Sequence, residues 1–194
     1  MQKFARVRAP AAPLPLANVD TDMIIPARYM KALTKDGLGK HLFQELRYGE
    51  DGRERPDFIL NHPICRTAQI LIADRNFACG SSREHAAWAL TDFGIRCVVA
   101  PSFGDIFAGN ARKNGLLLIR LPDAVCERLR LEIERSQYAP VEVDLETQTI
   151  HLPSGETVSF AIDPDDRRIL LEGLDDIGRT LRHDVAIARF EEGV

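Results

Sequence analysis

Ala68-Gln-Ile-Leu-Ile-Ala73, Cys97-Val-Val-Ala100 and Leu116-Leu-Leu-Ile119 are short apolar runs, and the stretches between them decide the fold. Each run has the length and composition of a buried strand. Between the first two, residues 82 to 93 read as a helix. Ala86, Ala87, Trp88, Ala89 and Leu90 favour it and Gly94 stops it. Between the second and third, Phe103 to Asn114 reads as another helix, stopped by Gly115. Strand, helix, strand, helix, strand with such short connections predicts an α/β layer of neighbouring parallel strands.

Outward from this centre the pattern changes. The first fifteen residues carry Pro10, Pro13 and Pro15 and read as an extended or mobile segment. Asn18 to Asp22 is polar and turn-forming, and Met23-Ile-Ile25 reads as a short apolar strand stopped by Pro26. Tyr29 to Gly39 reads as a loop. Leu42, Phe43 and Leu46 fit one turn of amphipathic helix, and Gly49 to Pro56 is a charged loop. After the third strand, Asp123 to Arg135 predicts a helix whose apolar face is Ala124, Val125, Leu129, Leu131 and Ile133. Val141 to Leu145 and Thr149 to Leu152 alternate about a Glu146-Thr-Gln turn, which predicts a hairpin. Val158 to Ile162 adds a strand, and Asp166 to Leu181 a final helix or helix pair. No linker divides the chain, so a single domain over residues 1–194 is expected, with residues 1–16 as an extended N-terminal segment.

Composition narrows the function. The 194 residues are 45% hydrophobic and 28% charged, which excludes a mainly disordered chain. The net charge of −4 gives no basic surplus for nucleic acid or anionic lipid, so neither is expected as a partner. An acidic substrate therefore needs a local group of donors. No apolar run approaches the roughly 20 residues of a membrane span. The prolines and charges near the start interrupt any signal-peptide core. Cys65, Cys79, Cys97 and Cys126 include no C-x-x-C pair and no nearby histidine at a zinc-finger spacing. A disulfide scaffold or a self-contained iron–sulfur or zinc site is not expected. A cytoplasmic protein with reduced thiols is.

The chemistry concentrates in Ala73-Asp-Arg-Asn-Phe-Ala-Cys-Gly-Ser-Ser-Arg-Glu-His85, where a strand ends and a helix begins. Ligands of α/β sheets bind outside the carboxyl ends of the strands. Gly80 permits close backbone approach, Ser81 or Ser82 can cap the helix, and Glu84 stands at a capping-box position. Free helix N–H groups favour an anion, and Arg83 adds a planar fork suited to a carboxylate. Plainer readings stand beside these. The serines serve as a simple cap, Arg83 as a solvated charge, His85 as a core or surface histidine and Cys79 as a small packed residue. The stretch matches neither the G-x-S-x-G hydrolase elbow nor a Walker loop.

Gly80-Ser-Ser-Arg-Glu-His85 resembles the signature of the aconitase superfamily's swivelling domain. Asn18-Val-Asp-Thr-Asp-Met-Ile-Ile-Pro26, Gly37-Leu-Gly-Lys-His-Leu-Phe43 and Trp88-Ala-Leu-Thr-Asp-Phe-Gly94 resemble, more narrowly, the bacterial isopropylmalate dehydratase small subunits. So do Ala100-Pro-Ser-Phe-Gly-Asp-Ile-Phe107 and Asn114-Gly-Leu-Leu117. The likeness runs from about Ala17 to about Phe190. It implies a three-layer β/β/α swivelling domain. Two positions depart from the family pattern: Ala78 stands where glycine is usual, and Leu118 where proline is common.

By that resemblance Ser81 is the catalytic base, and Ser82 and Arg83 contact a substrate carboxylate. Asp22 faces the active site, and the loop from Arg28 to Gly37 selects the substrate. Read alone, Asp20 and Asp22 fit a turn equally well, Arg28 a solvated charge, and Asn110 and Asn114 structural caps. The implied reaction converts 2-isopropylmalate, a small hydroxy-dicarboxylate, to 3-isopropylmalate through isopropylmaleate, by loss and return of water, in leucine biosynthesis. The implied cofactor is a four-iron four-sulfur cluster carried by a large partner subunit, with none bound by this chain alone. Loss of hydroxide calls for a Lewis acid, and the sequence shows no site for one, which itself predicts the partner. A related hydro-lyase acting on citraconate (methylmalate), homoaconitate or dimethylmalate, and a non-catalytic scaffold subunit, are the competing readings.

Overall fold

A computed structural model describes residues 1–31, 33–80 and 83–174. In chain order the elements are β1 (Arg6–Ala9), β2 (Ala11–Pro13), α1 (Thr21–Ile24), α2 (Gln44–Arg47), β3 (Ile70–Ile72) and α3 (His85–Phe93). Then come β4 (Cys97–Ala100), α4 (Asp105–Lys113), β5 (Leu117–Arg120), α5 (Asp123–Arg135), β6 (Val141–Asp144), β7 (Thr149–His151), β8 (Thr157–Ser159) and α6 (Pro164–Glu172). They build two four-stranded sheets, an all-parallel one in the order β2-β3-β4-β5 and an antiparallel one in the order β1-β6-β7-β8.

The parallel sheet is buried on both faces, which is why its strands read as unbroken apolar runs. Ile70, Ile72, Cys97, Val99, Leu117 and Ile119 share one core with Val7, Val141, Val143 and Ile150 of the antiparallel sheet. On the other face Leu71, Ala73, Val98 and Ala100 share a core with Ala86, Ala87, Ala89 and Leu90 of α3 and with Phe107 and Ala111 of α4. Period-two alternation of a strand thus joins the layers, giving the β/β/α arrangement. α3 ends where Gly94, at φ +112°, donates its N–H to Leu90 and Thr91 carbonyls. α6 opens on Asp163, whose carboxylate accepts from the N–H groups of Asp165 and Asp166.

Several expectations are corrected. The first fifteen residues are not merely extended: they form β1 and β2, one in each sheet. Pro10 lies at the crossing between them, and Pro13 ends a sheet-edge strand, where a missing donor is tolerated. Met23 and Ile24 belong to α1 rather than to a strand, because the Asp20 carboxylate accepts from Met23 N at 2.7 Å and fixes a helical turn. α3 starts at His85 rather than at residue 82, without a side-chain cap. Ser81 and Ser82, and with them the serine-cap reading, lie outside the described residues. Glu84 does not close a capping box; its carboxylate accepts from Asn114 Nδ2 at 2.7 Å.

The buried stripe of α5 is Cys126, Leu129 and Ile133, spaced i, i+3, i+7. Leu131 is 45% exposed, Ala124 is exposed, and Val125 only borders the core. The helical turn expected around Leu42, Phe43 and Leu46 is α2, entered through Phe43 at φ +51°. The last strand is shorter than expected, Thr157–Ser159. Of the final helix, α6 ends at Glu172 with Gly173 at φ +69°. The remainder of the expected segment, to Leu181, lies outside the described residues.

A sharp steric constraint beside the site is at Gly104, just before α4. A Cβ there would lie 2.4 Å from the Ala78 carbonyl oxygen. Its backbone angles, φ −62° and ψ 135°, suit any residue, so the cost of a side chain would be steric alone. Gly104→Ala is expected to destabilise the protein by about 2–3 kcal/mol, as overpacking does, read as a lowered urea midpoint with unchanged slope.

Candidate functional site

Three loops leave the carboxyl ends of β2, β3 and β4 and are stitched together by their backbones. Asn18 N donates to Arg75 O at 3.0 Å, Cys79 N to Val19 O at 3.1 Å and Thr21 N to Cys79 O at 3.1 Å. On the other side Phe77 N donates to Ser102 O at 3.0 Å and Gly104 N to Phe77 O at 2.9 Å. Side chains reinforce the seam: Asn76 Nδ2 donates to Asn18 Oδ1 at 2.8 Å, and Asn76 N to Ser102 Oγ at 2.8 Å. The middle loop is thereby held in a conformation it would not choose alone. Asn76 and Ala78 sit at φ +57° and +56°, and Gly80 at φ +93°. Ala78 therefore occupies a left-handed position at some cost in strain.

An open cavity of about 300 Å³ lies beside this loop, bordered by Ala78, Cys79, Gly80, Gly104, Asp105 and Ile106. The first turn of α4 forms one wall; it has no side-chain cap and carries Asp105, whose carboxylate offsets the positive end of the helix dipole. Sequence reasoning missed this wall. The available signal was Gly104 directly before a helix, at a carboxyl-end position of β4.

Asp22 and Arg83, separated by 61 residues in sequence, meet in an ion pair between Arg83 Nη1 and Asp22 Oδ1. Asp20, by contrast, is a helix cap. Arg83 is 28% exposed at its side chain and Asp22 56%. Arg28 is engaged elsewhere. It pairs with Glu45 at 2.7 Å and lies over the Tyr29 ring at 5.0 Å. The hydrogen bond with Tyr29 and then that with Glu45 raise its already high pKa. Tyr29 in turn stacks on His41 at 3.7 Å. Asn114 is the C-cap of α4, as expected. His85 packs its ring against Trp88 at 4.7 Å.

The described residues contain no group of three or more His, Cys, Asp or Glu side chains able to hold a metal ion. None of the described helices is long and apolar enough to cross a membrane.

Comparison with known proteins bears on the whole chain. The Aconitase C-terminal domain family model matches residues 1–124, and a LeuD_N model matches residues 127–164. The 3-isopropylmalate dehydratase small subunit of Granulibacter bethesdensis is 57% identical over 192 residues, covering 99% of this chain and 92% of that protein. That of Paramagnetospirillum magneticum is 55% identical, covering 99% and 96%. A crystal structure of 3-isopropylmalate dehydratase from Methanocaldococcus jannaschii superposes with a TM-score of 0.68 at 24% identity, covering 95% of this chain and 98% of that one. That likeness speaks for the fold: two sheets, parallel and antiparallel, with helices on the outer face of the parallel one. Near-complete coverage at more than half identity settles the lineage, and the chain belongs to the 3-isopropylmalate dehydratase small subunits, a family of the aconitase C-terminal domain fold.

Proposed function

We propose that this chain works as a single swivelling unit over residues 1–194, in the cytoplasm, as the smaller part of a hydro-lyase that interconverts 2- and 3-isopropylmalate through isopropylmaleate. The observation that carries the reading is the meeting of Asp22 and Arg83 beside the carboxyl ends of the parallel strands. It brings a guanidinium to the place where α/β sheets bind ligands. A hydroxy-dicarboxylate offers two anionic groups to such a donor, and the guanidinium fork matches a carboxylate in shape and charge.

Ser81, two residues before Arg83 in sequence, is proposed as the base that takes the proton from the carbon beside a substrate carboxylate. As the C–H bond breaks, its electron pair delocalises into that carboxylate, and the charge is met by Ser82 and Arg83. A serine hydroxyl is weakly acidic, and each unit by which its pKa falls requires roughly 1.4 kcal/mol of preferential alkoxide stabilisation. A helix terminus contributes about 0.3–2 kcal/mol and only within its first turn. α3 begins at His85, four positions further along the sequence. Arg83 and exclusion of water must carry more of the load, and a large subunit closing over the site supplies that exclusion. Arg28, now paired with Glu45, would reach the substrate only by leaving that partner.

The four-iron four-sulfur cluster implied by the family is assigned to the large subunit, because this chain's thiols do not suit it. Cys65, Cys97 and Cys126 are buried on separate elements. Burial pushes the thiols of Cys65 and Cys126 up to about 11 and that of Cys97 higher still, whereas cluster ligands must be thiolates. Cys79 alone is partly exposed. Iodoacetamide at pH 8 is therefore expected to label Cys79 first, with the other three reacting only in denaturant. Mass spectrometry of the labelled folded chain checks this, and early labelling of Cys97 would contradict it.

In the reconstituted two-subunit enzyme, Ser81→Ala is expected to lower kcat for isopropylmaleate hydration by about 10²- to 10⁴-fold, the usual worth of a positioned base, with assembly intact by size-exclusion chromatography. Undiminished turnover would leave the chain a scaffold. Citraconate hydration greatly exceeding isopropylmaleate hydration in the unmutated enzyme would overturn the substrate assignment.

A further inference from the structure

We propose that Glu84 and Asn114 form a positioning pair that sets where Arg83 presents its guanidinium to the substrate carboxylate. This rests on the reading of Arg83 given above. α3 turns mainly small side chains toward the core. Its inner face is Ala86, Ala87, Ala89 and Leu90, all fully buried. Trp88 and Phe93, partly buried, pack against the same core. Polar contacts at the two ends add to this packing. At the carboxyl end Asp92 Oδ2 accepts from Gly39 N at 2.7 Å. At the amino end Glu84 Oε1 accepts from Asn114 Nδ2 at 2.7 Å.

Asn114 is a firm anchor. Its amide nitrogen has two hydrogens, one for Glu84 and one for Asn110 O at 2.9 Å. Its backbone N–H bonds Asn110 and Ala111 carbonyls, closing α4. The following Gly115, at φ +73°, sits where a Cβ would lie 3.1 Å from Gln2 O, so the turn is wedged against the start of the chain.

The other end of the pair touches the site through the chain itself. Arg83 and Glu84 are consecutive, and their side chains are tied in different directions, Arg83 to Asp22 of α1 and Glu84 to the end of α4. The helix dipole would favour a carboxylate anywhere in this first turn, so it does not explain why Glu84 bonds Asn114. Loss of that bond frees residues 83 and 84 while Ala86 and Ala87 stay packed. Arg83 then meets the substrate from a broader range of positions.

The test uses the chain reconstituted with its large subunit and follows isopropylmaleate hydration. Asn114→Ala and Glu84→Ala are each expected to raise KM on the order of 10-fold or more, since misplacement by about an ångström is worth up to 10²-fold, and to lower kcat as well, because the misplaced guanidinium also meets the developing charge less closely. Glu84→Gln keeps an accepting oxygen and is expected to retain KM within about threefold. Arg83→Ala is expected to raise KM by itself, and adding Asn114→Ala to it is expected to raise KM no further, the signature of action through Arg83. If Arg83→Ala leaves KM unchanged, the reading of Arg83 fails and the pair with it. If Arg83→Ala raises KM but Glu84→Ala and Asn114→Ala only lower Tm, or if the double variant is additive, the positioning role alone is overturned. Should Asn114→Ala fail to fold because it also loses its bond to Asn110 O, the comparison of Glu84→Ala with Glu84→Gln decides the same question.

Discussion

The backbone seam along the Ala73–Gly80 loop is the constraint on which the site depends. One side of the loop bonds the chain that follows β2, the other the chain that follows β4. Left-handed angles at Asn76 and Ala78 cost roughly 1–2 kcal/mol for an ordinary residue, and less for asparagine. The hydrogen bonds on both flanks, each worth about 1 kcal/mol net, more than offset this. The carbonyl of Ala78 consequently points where Gly104 must lack a side chain. A loop held so firmly on two sides brings Gly80 to a defined place.

The fold was legible where burial on both faces made composition unambiguous. Cys97 to Ala100 is buried at every position, so no polar residue obscures the strand. Gly94 and Asn114-Gly115 close α3 and α4 by the backbone angles that such residues adopt readily. Legibility failed where tertiary contact overrode local preference. β1 pairs with β6 in the register Val7↔Val143, and Arg6 bonds Asp144 at 2.6 Å across 138 residues. Nothing in Arg6-Val-Arg-Ala9 and its neighbouring prolines announces that partner. α1 is short, and a side-chain bond from Asp20 decides it over the β preference of Ile24 and Ile25. In α5 the apolar residues Ala124 and Leu131 lie outside the buried stripe while Cys126 lies within it, so residue type alone misassigned the face.

Around the candidate site, the pairs that the fold brings together were illegible in the sequence. Ser-Ser-Arg-Glu before an alanine-rich run looks like a helix start, yet the helix begins later and Glu84 bonds Asn114, thirty residues away. Capping preferences are local statistics; they carry no knowledge of a competing partner brought in by the parallel crossover. Arg28 shows the converse. The loop likeness drew it toward the substrate, while the folded chain gives it Glu45 and Tyr29 on a solvated surface.

The Asp22–Arg83 pair also bears on how a substrate would be accepted. An unpartnered guanidinium that is only 28% exposed at its side chain would be poorly solvated and free to turn. Asp22, more than half exposed, satisfies it and is itself easily rehydrated. An ion pair with one well-solvated member is worth about 1 kcal/mol or less, so it directs the guanidinium without holding it tightly. A carboxylate brought in by a dicarboxylate substrate, once water is excluded, bonds the same fork more strongly than Asp22 does in solvent. On the proposed reading the exchange is favourable only in the closed assembly. The guanidinium stays oriented in the open chain, and substrate competes for it effectively when the large subunit removes the water that otherwise screens both partners.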